Sequence, residues 1–228
     1  MRAILSFLFA CLLFAGAPAS AQQANAAAAP SAGRVAAARA MLQALLLDSG
    51  TMEIGTAEAF RAVAPSVRAG IMETPLYAGL TPAHKQALDS AFDRLPTRLA
   101  AEALSVAPAI LDEFAPRFAA QMSEQSLADS TTFLRTPEGR AWTIHELRRA
   151  ASDSSPTVPP PAPLSDAEAS AAEQFNQSPA GREFSAPEIG RLSNELGRRV
   201  SSSPNVVAAF KQELCAAIED ECPAGWRS

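Results

Sequence analysis

A spacing of 42 residues recurs along the chain and constrains its fold more than any other feature. An apolar residue followed by Ser or Thr stands at Leu80-Thr81, Met122-Ser123 and Leu164-Ser165. In each pair the hydroxyl is placed to accept a hydrogen bond from a free N–H in the first turn of a helix. The apolar residue before it is placed to act as a hydrophobic staple. The recurrence predicts three structural copies, each of which opens with a helix.

The second and third copies also agree further along the chain. Phe133 matches Phe175, Trp142 matches Phe184, and Thr136-Pro137-Glu138-Gly139-Arg140 matches Ser178-Pro179-Ala180-Gly181-Arg182. Each copy is typical of a helix, a Ser/Thr-Pro turn and a second helix, which together form an αα-hairpin. In the first copy the turn is reduced to Leu95-Pro96-Thr97, one residue out of register.

The remaining segments also favour helices. Helical patterns cover residues 34–47, 56–72 with a disturbance at Pro65, 98–122 with interruptions at Pro108 and Pro116, 188–200, and a final helix capped by Ser203-Pro204. The final helix should bury a stripe formed by Val207, Phe210, Leu214 and Ile218. We therefore predict an all-α fold, a small helical bundle of hairpin repeats with a period of 42 residues.

A Pro-rich segment separates the second copy from the third. Five of the twelve residues from Ser152 to Pro163 are Pro, so the segment should be extended and semi-rigid. It would either link two lobes or form a long loop on one compact domain. The predicted organisation is a signal peptide (1–21), a disordered leader (22–33), a helical domain with the first two copies (34–151), a Pro-rich linker (152–164), and the third copy with the C-terminal helix (165–228).

The first residues have the layout of a secretory signal peptide. Arg2 gives a positive start, an apolar run follows to Ala15, and Ala19-Ser20-Ala21 forms an A-x-A cleavage site. We therefore expect export to the periplasm and a mature chain that begins at Gln22. No transmembrane segment is expected in the mature chain, because no later run reaches the roughly 20 apolar residues that a membrane-spanning helix needs.

Two cysteines remain after cleavage, Cys215 and Cys222, and an oxidising compartment favours a disulfide between them. On one continuous helix they would lie about 10 Å apart along the axis, whereas a bridge needs Cα atoms within roughly 7 Å. The helix must therefore end between them if they are bridged, and Pro223 and Gly225 are residues that end helices. The alternative is two free thiols.

Charge and motifs exclude several classes of function. The mature chain carries 18 basic and 24 acidic residues with no basic cluster, so no nucleic-acid partner is expected. His145-Glu146 begins like the helix motif of zinc proteases, but Arg149 stands where the second His is required. With His84 as the only other histidine, we predict no metal centre, no cofactor and no catalytic residue.

The pattern Phe, two residues, Ser/Thr-Pro-x-Gly and a basic residue resembles an uncharacterised bacterial family catalogued as domain of unknown function 2059 (DUF2059). Its signature runs Phe-Thr-x-x-Glu-Leu and then Phe-Tyr-x-Ser-Pro-x-Gly-Lys. Residues 133–140 and 175–182 match the second half, whereas Leu134 and Asn176 replace its Tyr, so the copies are divergent. The resemblance implies an exported all-helical protein and carries over no activity and no catalytic residue.

The candidate functional surface is the repeated Pro-x-Gly-Arg turn, with Gly139 and Arg140 in one copy and Gly181 and Arg182 in the other. Glycine permits close approach of a ligand or another backbone, and an Arg beside the free N–H groups of a helix start can hold an anion. In the competing interpretation, Gly lets the hairpin helices pack closely while Arg caps a neighbour or faces water.

Two functions follow from these patterns. The first is a non-catalytic interaction or structural module with an envelope protein as its possible partner. The second is a binder of a small anionic envelope component at Arg140 and Arg182.

Overall fold

A computed structural model describes residues 29–154, 158–184 and 187–226. The predicted signal peptide (1–21) and residues 22–28 of the predicted leader lie outside the described residues. The described part consists of helices and turns and has no β-strand, which confirms the all-α prediction. Within the described ranges, no helix is both long and apolar enough to cross a membrane.

The helices are α1 (Ala32–Gln43), α2 (Thr51–Met72), α3 (Pro75–Gly79), α4 (Pro82–Ala103), α5 (Ala107–Gln121), α6 (Glu124–Arg135), α7 (Pro137–Ser154), α8 (Asp166–Gln177), α9 (Pro179–Phe184), α10 (Pro187–Ser202) and α11 (Pro204–Ile218). A π-helical turn (Ala44–Asp48) continues α1, and the helical segment stops at Ser49-Gly50. Gly50 has a φ of 74°. Left-handed backbone of this kind favours glycine, so the predicted end of the first helix is confirmed.

The chain forms two compact units, and the first contains residues 52–106 and 197–226. Its core lies where α11 packs along α4. Phe60 of α2 contacts Phe92 of α4 and Phe210 of α11, with ring centroids 6.5 and 6.4 Å apart. At the edge of this core, Arg94 Nε of α4 donates to Glu213 Oε1 of α11 at 2.6 Å. Helices from distant parts of the chain therefore complete this unit together.

The second unit contains residues 29–51 and 107–196. Helix α1 packs against α5 and α6, and its Met41 and Leu42 are fully buried with Phe114 and Phe118 of α5. The hairpin α6–α7 packs against the hairpin α8–α9 in a reciprocal way, because α6 contacts α9 and α7 contacts α8. This pairing brings together Phe133 and Phe175, each of which precedes one of the two turns that the sequence singled out.

This division differs from the sequential one predicted from the Pro-rich segment. The part after that segment contributes α8 and α9 to the second unit and α11 to the first. Helix α4, which opens the first copy, lies in the first unit, whereas α6 and α8, which open the second and third copies, lie in the second unit. The units are not sequential because α11 and α4 bury their apolar faces against each other, although more than 100 residues separate them.

The three predicted helix starts are confirmed. Thr81 accepts from the N–H of His84 at 3.2 Å, Ser123 from that of Ser126 at 3.1 Å, and Ser165 from that of Glu168 at 3.4 Å. Ser165 and Glu168 form the predicted capping box. Leu80 and Met122 are buried, as expected of residues that act as staples, whereas Leu164 is only half-buried.

Two predicted breaks at proline were wrong. Helix α4 runs without interruption through Leu95-Pro96-Thr97, and α5 runs through Pro116, whereas a 3-10 turn (Leu104–Val106) precedes α5 close to Pro108. Leu95 has no hydroxyl that could cap a second helix, unlike Thr136 and Ser178 in the later copies. Burial of Leu95 and Leu99 outweighs the hydrogen bond that Pro96 cannot donate. The first copy therefore contains no hairpin turn.

Some helix boundaries and one buried stripe also differ from the prediction. Helix α1 begins at Ala32, inside the predicted leader, because Ser31 accepts from the N–H of Arg34 and caps it. Helix α7 extends to Ser154, so residues 152–154 of the predicted linker are helical. In α11 the buried stripe contains Val206 in place of Val207, together with Phe210, Leu214 and Ile218. Ser203 caps α11 without a side-chain hydrogen bond.

The structure joins Cys215 and Cys222 in a disulfide, with their Cα atoms 5.0 Å apart. Helix α11 ends at Ile218, between the two cysteines, as the geometry of a bridge requires. Glu219 follows with a φ of 42°, a conformation that residues with a side chain rarely adopt. The disulfide therefore closes a sharp turn at the C-terminal end of the first unit.

The capping box of α8 leads to a prediction about pH. The Glu168 carboxylate accepts from the N–H of Ser165 at 2.8 Å and from its hydroxyl at 2.8 Å. These hydrogen bonds hold the pKa of Glu168 below its ordinary value. Because this pKa is lower in the folded chain, the carboxylate's contribution to stability is fully present above the unfolded pKa and is lost as the pH falls through the folded pKa.

We expect Ser165→Ala to remove this hydroxyl cap and lower the free energy of unfolding by about 1 kcal/mol at neutral pH. The loss should shrink in acid, and the pKa of Glu168 should rise, as measured by urea unfolding and by NMR titration of the carboxyl carbon. Ser123→Ala is the control, because the third residue of α6 is Ser126 and not a Glu. Its loss should therefore not depend on the titration of a capping-box carboxylate. A loss from Ser165→Ala that is equal in acid and at neutral pH would contradict this account.

Candidate functional site

The turn between α6 and α7 is built around one hydroxyl group. Thr136 Oγ1 donates to the carbonyl of Phe133 at 2.8 Å, at the end of α6. The same oxygen accepts from the N–H of Gly139 at 3.0 Å, in the first turn of α7. A single side chain therefore caps the end of one helix and the start of the next, while Pro137 needs no partner for a nitrogen that carries no hydrogen.

The turn between α8 and α9 repeats this arrangement 42 residues later. Ser178 Oγ donates to the carbonyl of Phe175 at 2.6 Å and accepts from the N–H of Gly181 at 3.0 Å. The backbone N–H of Ser178 also donates to Phe175, at 3.0 Å, as that of Thr136 does to Phe133 at 2.9 Å. The two turns are thus equivalent in every hydrogen bond that defines them.

Gly139 and Gly181 stand where the preceding helix passes too close for any side chain. A Cβ atom added to Gly139 would lie 2.0 Å from the carbonyl oxygen of Phe133, and one added to Gly181 would lie 2.0 Å from that of Phe175. Both glycines are buried. The backbone that comes close to these glycines is therefore that of the preceding helix and not that of a ligand or partner. This supports the interpretation in which glycine lets the hairpin helices pack closely.

The two arginines of the motif have different surroundings. Arg182 Nη1 donates to the carbonyl of Gln177 at 2.6 Å, near the end of α8, and the side chain of Arg140 is exposed. The backbone N–H groups of Arg140 and Arg182 donate to the carbonyls of Thr136 and Ser178, both at 3.1 Å. Because Arg182 caps a neighbouring helix end and the hydroxyls occupy the glycine N–H groups, this geometry does not favour an anion site.

A cluster of four aromatic rings joins the two hairpins. The rings of Phe133 and Phe175 stack with centroids 4.2 Å apart and planes 10° apart. Trp142 lies 5.6 Å from Phe133, 5.8 Å from Phe175 and 6.3 Å from Phe184, and Phe184 lies 5.8 Å from Phe175. We call these four side chains the aromatic cluster. Each residue comes from a position that the 42-residue spacing had matched in pairs.

Burial within the aromatic cluster is uneven. Phe175 and Phe184 are buried, whereas Phe133 and Trp142 are only half-buried. The exposed Arg140 is two residues before Trp142 in α7. The sequence matched the four aromatic residues but did not indicate that they contact one another, because stacking between residues 42 positions apart has no local signal. We call the partly exposed side chains of Phe133 and Trp142, with Arg140, the aromatic edge.

Several charged side chains of α7 and α9 are paired within the fold. Glu183 Oε2 of α9 accepts from the N–H of Ser123 at 2.8 Å, so the chain's own carboxylate lies at the positive start of α6. On α7, Arg149 Nη2 donates to Glu146 Oε2 at 2.6 Å. Burial raises the pKa of Glu146, but the hydrogen bonds and charges of Arg149 and His145 outweigh burial and hold that pKa below its ordinary value.

The residues of the discounted zinc motif take part in this pairing. His145 Nδ1 lies 3.4 Å from Glu146 Oε1, and Arg149 also contacts Asp153 at 3.2 Å. Among the residues that the structure describes, no group of three or more His, Cys, Asp or Glu side chains is arranged to hold a metal ion.

Comparison with known proteins adds no relative: no family model matches the chain, and no significant match exists among the curated proteins or the solved structures. The resemblance to DUF2059 stays a prediction that these comparisons do not test.

Proposed function

We propose that this chain is exported to the bacterial periplasm and works there as a non-catalytic interaction module. The signal-peptide pattern of residues 1–21 supports export. The bridged pair Cys215–Cys222 suits an oxidising compartment. The function is then one of surface recognition, in which a helical scaffold presents side chains to an envelope protein.

The single observation that carries the interaction role is that the polar groups of the repeated turn are occupied by hydrogen bonds within the fold. Its hydroxyls, its glycine N–H groups and the Arg182 guanidinium all make hydrogen bonds within the fold. What the turn leaves available to a partner is the aromatic edge. Aromatic residues and arginine are enriched in protein interfaces, and a rigid Trp gives a large contact area at a low cost in conformational entropy.

The partner would therefore carry an apolar pocket for the Trp142 indole and an acidic rim for Arg140. The stacked pair Phe133–Phe175 holds the edge in place, because the ring of Phe175 is buried beneath it. A rigid edge loses little freedom on binding, which favours recognition of one partner.

Photo-crosslinking in the native periplasm tests this role. A photoreactive phenylalanine analogue replaces Arg140 at the edge or, as the control, exposed Gln125 on α6. We expect one discrete protein adduct from position 140 and none from position 125. Trp142→Phe in the labelled chain should weaken that adduct, and the fold should tolerate it because Phe184 is the matching residue in the other copy.

Two results would contradict the proposal. The same adducts from positions 140 and 125 would mean that the labelled chain collides with abundant proteins without recognition. An adduct that Trp142→Phe leaves unchanged would mean that the aromatic edge does not contact the partner. Export is tested separately by N-terminal sequencing of the protein from the periplasmic fraction, for which we expect Gln22 as the first residue.

A further inference from the structure

Burial in the described part of the Pro-rich segment repeats every three residues. Residues 158–164 belong to no helix, and the half-buried residues among them are Val158, Pro161 and Leu164. The residues between these three are exposed in pairs, Pro159 with Pro160 and Ala162 with Pro163. A polyproline II helix has three residues per turn. One row of side chains therefore turns toward the protein, while the other two rows face solvent.

The backbone of this segment is not used within the fold. In the part of the chain that the structure describes, no hydrogen bond involves residues 158–163. Four of these six residues are Pro, and proline fixes the backbone torsion φ before any partner arrives. The segment is thus a preformed apolar strip whose backbone carbonyls remain available as acceptors.

The exposed residues have the spacing that aromatic grooves recognise. Pro160 and Pro163 form a Pro-x-x-Pro pattern, and at 3.1 Å per residue they lie about 9 Å apart along the axis. Segments with this pattern dock in grooves lined by aromatic rings, and the preformed polyproline II helix loses little entropy on binding. Pro161, between them, belongs to the row that turns toward the protein, so it leaves the two exposed pairs accessible to such a groove.

We propose that residues 159–163 are a docking segment for a partner protein whose groove is lined by aromatic side chains. Pro159-Pro160 fills one pocket of the groove, and Ala162-Pro163 fills the next. Buried Trp or Tyr side chains of the groove donate hydrogen bonds to the carbonyls of the segment. Exposed Asp166 follows Pro163 by three residues, so the groove carries a basic residue at that end.

This docking segment contains no residue of the aromatic edge. The inference therefore stands apart from the proposed function, and it does not depend on export. A failure at the aromatic edge leaves the docking segment untouched, because the two surfaces are probed at different positions.

Photo-crosslinking of the full chain, in the cells that naturally produce it, identifies the partner. A photoreactive phenylalanine analogue replaces exposed Ala162 or, as the control, exposed Gln125 on α6. We expect position 162 to give a protein adduct that position 125 does not give. Mass spectrometry should place the crosslink beside aromatic residues of the partner.

The purified partner is then titrated with three full-length variants that each lack one proline. Pro160→Ala and Pro163→Ala remove exposed rings, whereas Pro161→Ala removes the half-buried ring of the row that turns toward the protein. All three variants relax the backbone to the same degree, so any difference between them reports contact with the groove. We expect the first two to weaken binding about tenfold, through the loss of two buried methylene groups each. Pro161→Ala should weaken it about twofold at most.

The charge at the end of the groove has its own variant. Asp166→Asn should weaken binding at low salt and have less effect at high salt, because salt screens an exposed ion pair. Binding that Asp166→Asn leaves unchanged at low salt would contradict the basic residue of the groove.

Two results would overturn the docking segment itself. The absence of an adduct specific to position 162 would mean that the segment is only a spacer between α7 and α8. Equal losses of affinity in the three proline variants would mean that the stiffness of the segment matters and that its exposed rows do not contact the partner. Circular dichroism checks that each variant keeps the helical signal of the unaltered chain.

Discussion

Phe175→Ala is expected to lower the free energy of unfolding of the second unit by about 3–5 kcal/mol. The side chain is buried at the centre of the aromatic cluster and contacts Phe133, Trp142 and Phe184. Its removal leaves a cavity that two helical hairpins border, and it also ends the stacking with Phe133, which adds to the loss of buried area.

Urea unfolding followed by tryptophan fluorescence measures this loss. The chain has two tryptophans, Trp142 in the second unit and Trp226 in the first, so Trp226→Phe makes the signal specific to the second unit. Phe133→Ala is the matched control: it removes the other ring of the stack from a half-buried position and should cost less. A loss below about 1 kcal/mol for Phe175→Ala would contradict the central place of this ring.

Gly181→Ala is expected to cost about 3 kcal/mol, the upper end for overpacking. The new Cβ would lie 2.0 Å from the carbonyl oxygen of Phe175, which belongs to the backbone of α8 and cannot rotate away. The turn must open, and the hydrogen bond from the Gly181 N–H to Ser178 would weaken with it. Gly139→Ala should have the same effect, because its Cβ would meet Phe133 at the same distance.

Gly190→Ala is the matched control for this prediction. Gly190 lies in α10 of the same unit, and a Cβ added there would meet nothing within 4 Å. Alanine should therefore raise the stability by up to about 1 kcal/mol through its higher helix propensity. The same fluorescence-monitored urea unfolding measures all three variants. A Gly181→Ala variant as stable as Gly190→Ala would contradict the close approach at the turn.

Features that depend on neighbouring residues could be predicted from the sequence. The caps at Thr81, Ser123 and Ser165 need only a hydroxyl and an N–H three residues later, so local sequence specifies them. The Ser/Thr-Pro turns have the same property, because one hydroxyl makes both hydrogen bonds. The 42-residue spacing identified the four aromatic residues as matching pairs, but it did not predict that their rings contact one another.

Features that depend on distant packing could not be predicted. Pro96 normally breaks a helix, yet burial of the flanking leucines keeps α4 continuous. The Pro-rich segment is typical of a linker between lobes, but nothing near it shows that α11 packs on α4. The interpretation of Gly181 also depended on a carbonyl six residues away, which only the folded turn brings close.

The contact that supports the aromatic edge is the packing of helices before the Pro-rich segment against helices after it. Insertion of a specific protease site between Pro160 and Pro161, followed by cleavage of the folded protein, tests this packing directly. The account predicts that the two fragments elute together on gel filtration with the helical circular dichroism of the uncut chain. Fragments that separate in native buffer while each keeps its helical signal would contradict it, because each side of the segment would then fold alone.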